Sequence, residues 1–490
     1  MQTSAPSWEK LSNKECVKTY SNMFLSSRRN VILVSSAKND TNSVLLYGST
    51  DIVSGILGGG GAGDANWWIC SSGGQDGGNM MCNPNGHVTS SGAFSLWEYP
   101  IEYCLSEKVE DTCSLNFSQD IMYVMLAFNA LKVAMMILVL FQYDAEIILA
   151  SVGDAIASFM TYEDQSTRMM CLANRREMKR FWRSRGMART FSQQRRRWGV
   201  AVSKKRWAFF LFFTLFSLCI VAFFGLWGFV HLKNRGIGLD PSSLWQIGFG
   251  QANQNTLVLY DNMRDRDAIT MAIIANIPQI LLAIGYLLYL GIMTTMFLAS
   301  DFSNFAFKPQ NLMVSTARGK QRGTWMFGAP MGWGITFVIF GTLFHWLVSQ
   351  SIFVVKFQVY FKDGTAATPT EDSLDYSHLT NAGYSPIAII FSIIAAGLML
   401  LSSFIFMFRR FPGGAPPVVS TCTAAISAAC HPSNRYPGIV FGKFRWGANG
   451  GFENGVGHCS LVPAQAWDLR QAGPSTEGWS YAGFPESQSL

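Results

Sequence analysis

Residues 207–230 run for 24 positions without one charged side chain and are dominated by Phe, Leu, Val and Trp. A hydrocarbon layer about 30 Å thick takes roughly 20 apolar residues in helix, since backbone polar groups inside it must be satisfied within the segment. Four further segments are similarly apolar, three of them also uncharged. Pro386–Phe408 is equally uncharged, and 332–355 is interrupted only by His345. The stretch 268–299 is too long for one upright span, and Pro278 is expected to mark a kink or the start of the embedded part. The fifth, 121–141, carries Asn129 and Lys132 near its middle. Charged residues make up only 14% of the chain, against about 25% in ordinary soluble domains. The predicted fold is an all-α multi-pass transmembrane bundle of about five spans. A small β-containing, disulfide-bearing outer domain is expected at its N-terminal side.

Charge predicts the orientation, because Lys and Arg concentrate in cytosolic loops. Loop 142–206 holds 14 basic and 6 acidic residues, and loop 300–331 holds Lys308, Arg318, Lys320 and Arg322 against Asp301. Loop 231–268 is balanced at four and four, whereas loop 356–385 sets Asp363, Glu371, Asp372 and Asp375 against Lys356 and Lys362. Residues 1–120 are therefore expected to form an exoplasmic or luminal domain. The bundle occupies 121–410, and 411–490 form a cytosolic tail, in a plasma membrane or endomembrane. Two glycosylation sequons, at Asn39 and Asn116, both fall on the outer side. So do Cys16, Cys70, Cys82, Cys104 and Cys113, which an oxidising compartment would pair, one of the five excepted. Residues 1–20 lack a basic segment followed by an apolar one, so a further helix upstream of this chain is expected to carry the domain across.

The outer domain reads as folded but not helical, with Val31-Ile-Leu-Val34 and Val44-Leu-Leu-Tyr47 as short strands. Its glycine clusters at 58–63 and 73–78 lack the Lys-Ser/Thr of a phosphate loop and read as flexible connections. Residues 151–160 are too short and polar to cross a bilayer, and their apolar side chains should lie against the membrane or line the bundle. Arginines next to Phe181, Trp182, Phe191, Trp198 and Trp207 suit anionic lipid headgroups beside a membrane, in preference to nucleic acid. The expected partner is thus the lipid bilayer itself.

Polar side chains inside spans are costly and are functional candidates. Asn129 and Lys132 share a helix face, Asn276 and Gln279 flank Pro278, and His345 lies mid-span. In the tail, Cys422, Cys430, His431, His458 and Cys459 are side chains that zinc could use, although the Cys422–Cys430 spacing fits no standard finger. No serine-hydrolase, metalloprotease or cofactor-binding pattern occurs, so no cofactor is expected.

Five motifs together resemble a family of fungal multi-pass membrane proteins known only as a domain of unknown function. They are Trp8-Glu-Lys-Leu-Ser-Asn-Lys-Glu-Cys16, Val152-Gly-Asp-Ala-Ile-Ala-Ser-Phe159, Phe344-His-Trp-Leu-Val-Ser-Gln-Ser-Ile-Phe353, Thr421-Cys-Thr-Ala-Ala-Ile-Ser-Ala-Ala-Cys-His-Pro432 and Gly457-His-Cys-Ser460. Members of that family have a helix upstream of the Trp8 motif, and the resemblance implies no activity. The leading expectation is a non-enzymatic membrane protein. A transporter or channel with a polar pathway, a membrane-bound enzyme and a surface receptor or adhesion protein are the alternatives.

Overall fold

In the computed structural model the uncharged runs are helices. The structure describes residues 7–20, 25, 27–37, 92–96, 99–110, 119–142, 149–176, 178, 188–234, 237–258, 268–324, 328–358, 378–433, 438–450 and 455–482. The helices used below are α1 (Asn13–Tyr20), α2 (Gln119–Gln142), α3 (Val152–Thr161), α4 (Lys204–Asn234), α5 (Ala268–Asn304), α6 (Met331–Ser351), α7 (Pro386–Phe408) and α8 (Thr423–Ala428). Five of them, α2, α4, α5, α6 and α7, are long and apolar enough to cross a membrane.

Their ends follow from side-chain chemistry. Helix α4 exceeds the uncharged run at both ends, taking in Lys204, Lys205 and Arg206 before it and Lys233 after it. Long cationic side chains can sit there with their stems on apolar surface and their heads in water. Helix α5 runs unbroken through Pro278 for 37 residues, about 55 Å at 1.5 Å per residue. Helix α6 stops at Ser351, four residues short of the end of its uncharged run. There Ile352-Phe-Val-Val355 opens strand β9 (Ile352–Gln358), which pairs antiparallel with β10 (His378–Tyr384). Branched and aromatic side chains favour the pleated ribbon at that point. None of the most apolar stretch of α2 is buried, whereas half of that of α5 is. Surface as apolar as this suits hydrocarbon and not water.

The chain forms two compact units. The first comprises 1–116, 216–283 and 343–395, and the second 117–215, 284–342 and 396–490, so α4, α5, α6 and α7 each contribute to both.

In the first unit, β1 (Glu9–Leu11), β2 (Arg28–Ser35), β3 (Phe94–Leu96) and β4 (Tyr99–Lys108) form one antiparallel sheet around β4. Helix α1 covers it with Asn13, Cys16, Val17 and Tyr20, one face at helical spacing. A helix was not expected here. Its start is a capping box: Ser12 Oγ accepts from Glu15 N (3.4 Å) and Glu15 Oε2 accepts from Ser12 N (3.1 Å). Below it, Tyr20 Oη meets Ser106 Oγ at 2.8 Å, and Asn13 Nδ2 donates to Ile101 O at 2.8 Å.

The second unit contains a six-stranded sheet assembled from distant pieces. Strand β11 (Lys443–Asn449) pairs with β12 (Val456–Pro463), β13 (Ala472–Gly473) and β6 (Gln310–Asn311). Strand β14 (Ser480–Ala482) lies parallel to β12 and antiparallel to β5 (Arg189–Thr190). The tail therefore shares its sheet with both basic loops. Helix α3 does not lie along a membrane. It starts on a second capping box, Ser151 with Asp154, and buries Ala155, Ile156 and Met160 in the same core as Phe444, Trp446, Leu461 and Tyr481. Residues 313–314 (β7) and 322–323 (β8) form a short parallel pair beside it.

Candidate functional site

The densest polar cluster in the second unit is built around β12 and involves one residue that sequence reasoning had not singled out, Cys171. Both ring nitrogens of His458 face backbone carbonyls: Nδ1 that of Ala482 at 3.2 Å, and Nε2 that of His431. A carbonyl only accepts, so the ring satisfies both when it is doubly protonated. Burial works against that charge, but the neighbouring Cys171 sulfur and the two carbonyls outweigh it and raise the His458 pKa. Burial likewise opposes a charge on Cys171, yet hydrogen bonds from the Cys459 thiol and the His458 ring, with the charge of that ring, bring the thiol down to about 5. Cys459 responds oppositely: burial first, then the negative sulfur beside it, push its thiol up, while Ser475 Oγ lies 3.2 Å from its sulfur. Ala482 O also lies against the Cys171 sulfur, taking its proton from there when Cys171 is a thiol and from His458 when it is a thiolate. Hydrogen bonding and charge within the cluster favour a thiolate on Cys171 beside a protonated His458. With Cys171 2%, His458 3% and Cys459 0% exposed, the group is buried in the core as an electrostatic latch.

His431 belongs to an adjoining network. Its Nδ1 donates to Glu163 Oε1 at 2.9 Å, its Nε2 lies 3.0 Å from Thr167 Oγ1, and Thr167 meets Ser427 Oγ at 2.7 Å. These bonds tie the turn after α3 to the start of the tail. Cys430 is buried in the apolar core and Cys422 is partly buried at its edge. Among the described residues no three His, Cys, Asp or Glu side chains gather as a metal site would require. The bonding of His458 explains part of this, since neither ring nitrogen keeps a lone pair for a metal. Sequence spacing pointed to the histidines and cysteines of the tail. Nothing in Met169-Met-Cys-Leu-Ala-Asn174 announced their partner.

The latch makes stability depend on pH. Folding lowers the Cys171 pKa, so its contribution is complete above the ordinary thiol value near 8.5, shrinks as pH falls and is gone below about 5. Raised His458 acts oppositely, full below about 6.5 and lost as pH rises through its folded value. The two trends offset just above pH 6.5, leaving a net loss between there and pH 5. Thermal unfolding of the detergent-solubilised protein should show the gap between wild type and Cys171→Ser narrowing over that interval. A gap unchanged from pH 7 to 4.5 would count against the thiolate.

Of the polar residues expected inside spans, the structure brings two together. Gln279 Nε2 donates to His345 O, and Gln279 Oε1 lies 3.1 Å from His345 Nδ1, so α5 and α6 are clamped by a reciprocal pair within the first unit. Asn276 Nδ2 bonds back to Ala272 O of its own helix. Asn129 and Lys132 stand on α2 with their side chains exposed. In the N-terminal domain Cys16 and Cys104 form a disulfide. Asn39, Asn116, Cys70, Cys82 and Cys113 lie outside the described residues.

Five helices long and apolar enough to cross a membrane suggest a membrane location for this chain. A family model described as Domain of unknown function (DUF8419) matches residues 183–454, more than half of the chain, and the chain belongs to that family. The match includes α4 to α8 and β11 and leaves the Trp8, Val152 and Gly457 motifs outside it. Neither a curated protein nor a solved structure matches the chain.

Proposed function

We propose that this is a non-enzymatic integral membrane protein that anchors two differently built domains. One is a disulfide-closed β domain on the outer face, and the other a thiol-containing mixed domain on the cytosolic face. One observation carries the reading. The first compact unit collects the N-terminal domain with loops 231–268 and 356–385, while the second collects the basic loops and the tail. Charge had assigned the first set outside and the second inside, so packing and charge sort the segments alike. The disulfide in the first unit, and the Cys171, Cys422 and Cys459 thiols in the second, fit the same assignment, while the Cys219 thiol lies within α4. A polar transport pathway is less well supported, because Gln279 and His345 bond to each other and Asn129 and Lys132 are exposed on α2. The resemblance to fungal sequences supports a fungal plasma membrane or endomembrane, with Asn39 and Asn116 glycosylated.

Protein made in fungal cells should stay with membranes through carbonate extraction and should change mobility on glycosidase treatment through Asn39 or Asn116. A tag in loop 142–206 should be digested by protease added to the cytosolic side of isolated vesicles. Protection of that tag would reverse the orientation, and release by carbonate would end the membrane reading.

A further inference from the structure

We infer that the second unit carries a binding site for an anionic phospholipid, in a groove beside the first turn of α4. This rests on the membrane reading above and adds a defined ligand site to it. The groove encloses about 360 Å³ and opens outward. Arg176, Arg197 and Lys204 surround it, and Val200, Trp207 and Met407 supply apolar wall. Among the described residues no carboxylate ion-pairs with any of the three cations. Lys204 is the first residue of α4 and Met407 the penultimate residue of α7, so the groove lies where two membrane-length helices reach their charged ends.

The walls are held in place. Trp207 Nε1 donates to Gly199 O at 3.2 Å, fixing the indole against the 198–201 turn. Trp198 anchors that turn by packing on Phe297, Phe406 and Phe411, with the Arg409 guanidinium 4.6 Å from its ring centre. Arg175 and Ser420 both donate to Ala201 O, at 2.9 and 2.7 Å, which ties the Arg176 backbone to the same turn. Arg197 rests its guanidinium 5.1 Å from the Phe408 ring centre, leaving its N–H edge for an acceptor.

Three cations with no ion-paired carboxylate among the described residues call for an anion, and guanidinium groups pair well with phosphate oxygens. The apolar wall calls for hydrocarbon. A soluble phosphate satisfies the first demand only. A phospholipid with a net negative headgroup satisfies both, its phosphate among the cations and its acyl chain along Val200, Trp207 and Met407. Basic residues at the membrane surface are the usual partners of such lipids.

The test uses the full chain purified in neutral detergent, with native mass spectrometry of bound phosphatidylserine and phosphatidylcholine. Wild type should prefer phosphatidylserine. The triple variant Arg176→Gln, Arg197→Gln, Lys204→Gln should weaken that binding about tenfold or more, with phosphatidylcholine binding unchanged. A control neutralising Arg195, Lys320 and Lys443, three exposed cations outside the groove, should behave as wild type. Arg176→Lys with Arg197→Lys, which keeps the charge, should retain most of the preference. The inference is overturned if wild type shows no preference, if the triple variant binds phosphatidylserine like the control, or if millimolar inorganic phosphate displaces the lipid from wild type. Failure of wild type to float with phosphatidylcholine liposomes would instead remove the membrane reading, and this site with it.

Discussion

Gly153→Ala should destabilise the second unit by about 3 kcal/mol or more, the upper end for forcing extra atoms into a packed core. An added Cβ would land on the main chain of Met313, in β7, and a strand cannot swing aside as a flexible side chain can. That strand is also pinned from α3: Ser151 Oγ donates to Met313 O at 2.8 Å, and Asp154 Oδ1 accepts from Ser315 N at 2.8 Å. Relieving the clash lengthens both bonds and disturbs the capping box that starts α3. The comparison is Gly397→Ala, inside α7, where the new methyl meets nothing within 4 Å. There the helix propensity of alanine should leave stability unchanged or slightly higher. Thermal unfolding of both variants in detergent decides the matter, and equal melting temperatures would show that β7 yields freely.

Cys16→Ser should cost the N-terminal domain about 4–5 kcal/mol, the scale on which the chain-entropy account places a bond closing a loop this long. The two cysteines are 88 residues apart in sequence, so their bond closes a long loop. Within that sheet the sulfurs sit under Leu11 and Tyr20, with Leu33 and Val31 packed alongside. Four short strands and an eight-residue helix bury little apolar surface, so the cross-link is a large share of what holds them. Cys104→Ser should cost the same, and the double variant no more than either single one, because all three remove one bond. Limited proteolysis, with and without reductant, would follow the loss. Resistance equal to that of wild type would mean that the sheet folds without its bond.

Much of the fold was legible because hydrocarbon leaves few options. Five apolar runs, four of them uncharged, predicted five helices, and each is there, with ends set by local chemistry. Helix α6 shows the limit: hydropathy cannot tell its last helical residue from the first residue of β9, since both are apolar, and only the branched run at 352–355 marks the change. Helix α1 was legible in principle, through Ser12-x-x-Glu15, but a polar segment with only four inward residues looks like a loop when strands are being sought. The latch was half legible. Its histidine and one cysteine stand adjacent at 458–459, whereas the residue that completes it comes from 287 positions earlier in a stretch without pattern. Long-range pairing of that kind is decided by which strands meet, and neither spacing nor composition records it.

The position of β14 sets a schedule for biosynthesis. Its three residues lie between β12 and β5, and the Ala482 carbonyl at its end receives the His458 ring and the Cys171 sulfur. All five membrane-length helices are synthesised before residue 480 emerges from the ribosome. Until then β5 waits without its partner, β12 has an open edge, and the two charges of the latch have not met. Completion of the second unit therefore follows synthesis of all five helices and awaits β14, the last described strand. Loss of residues 480–490 would leave those helices intact and take β14 from this domain.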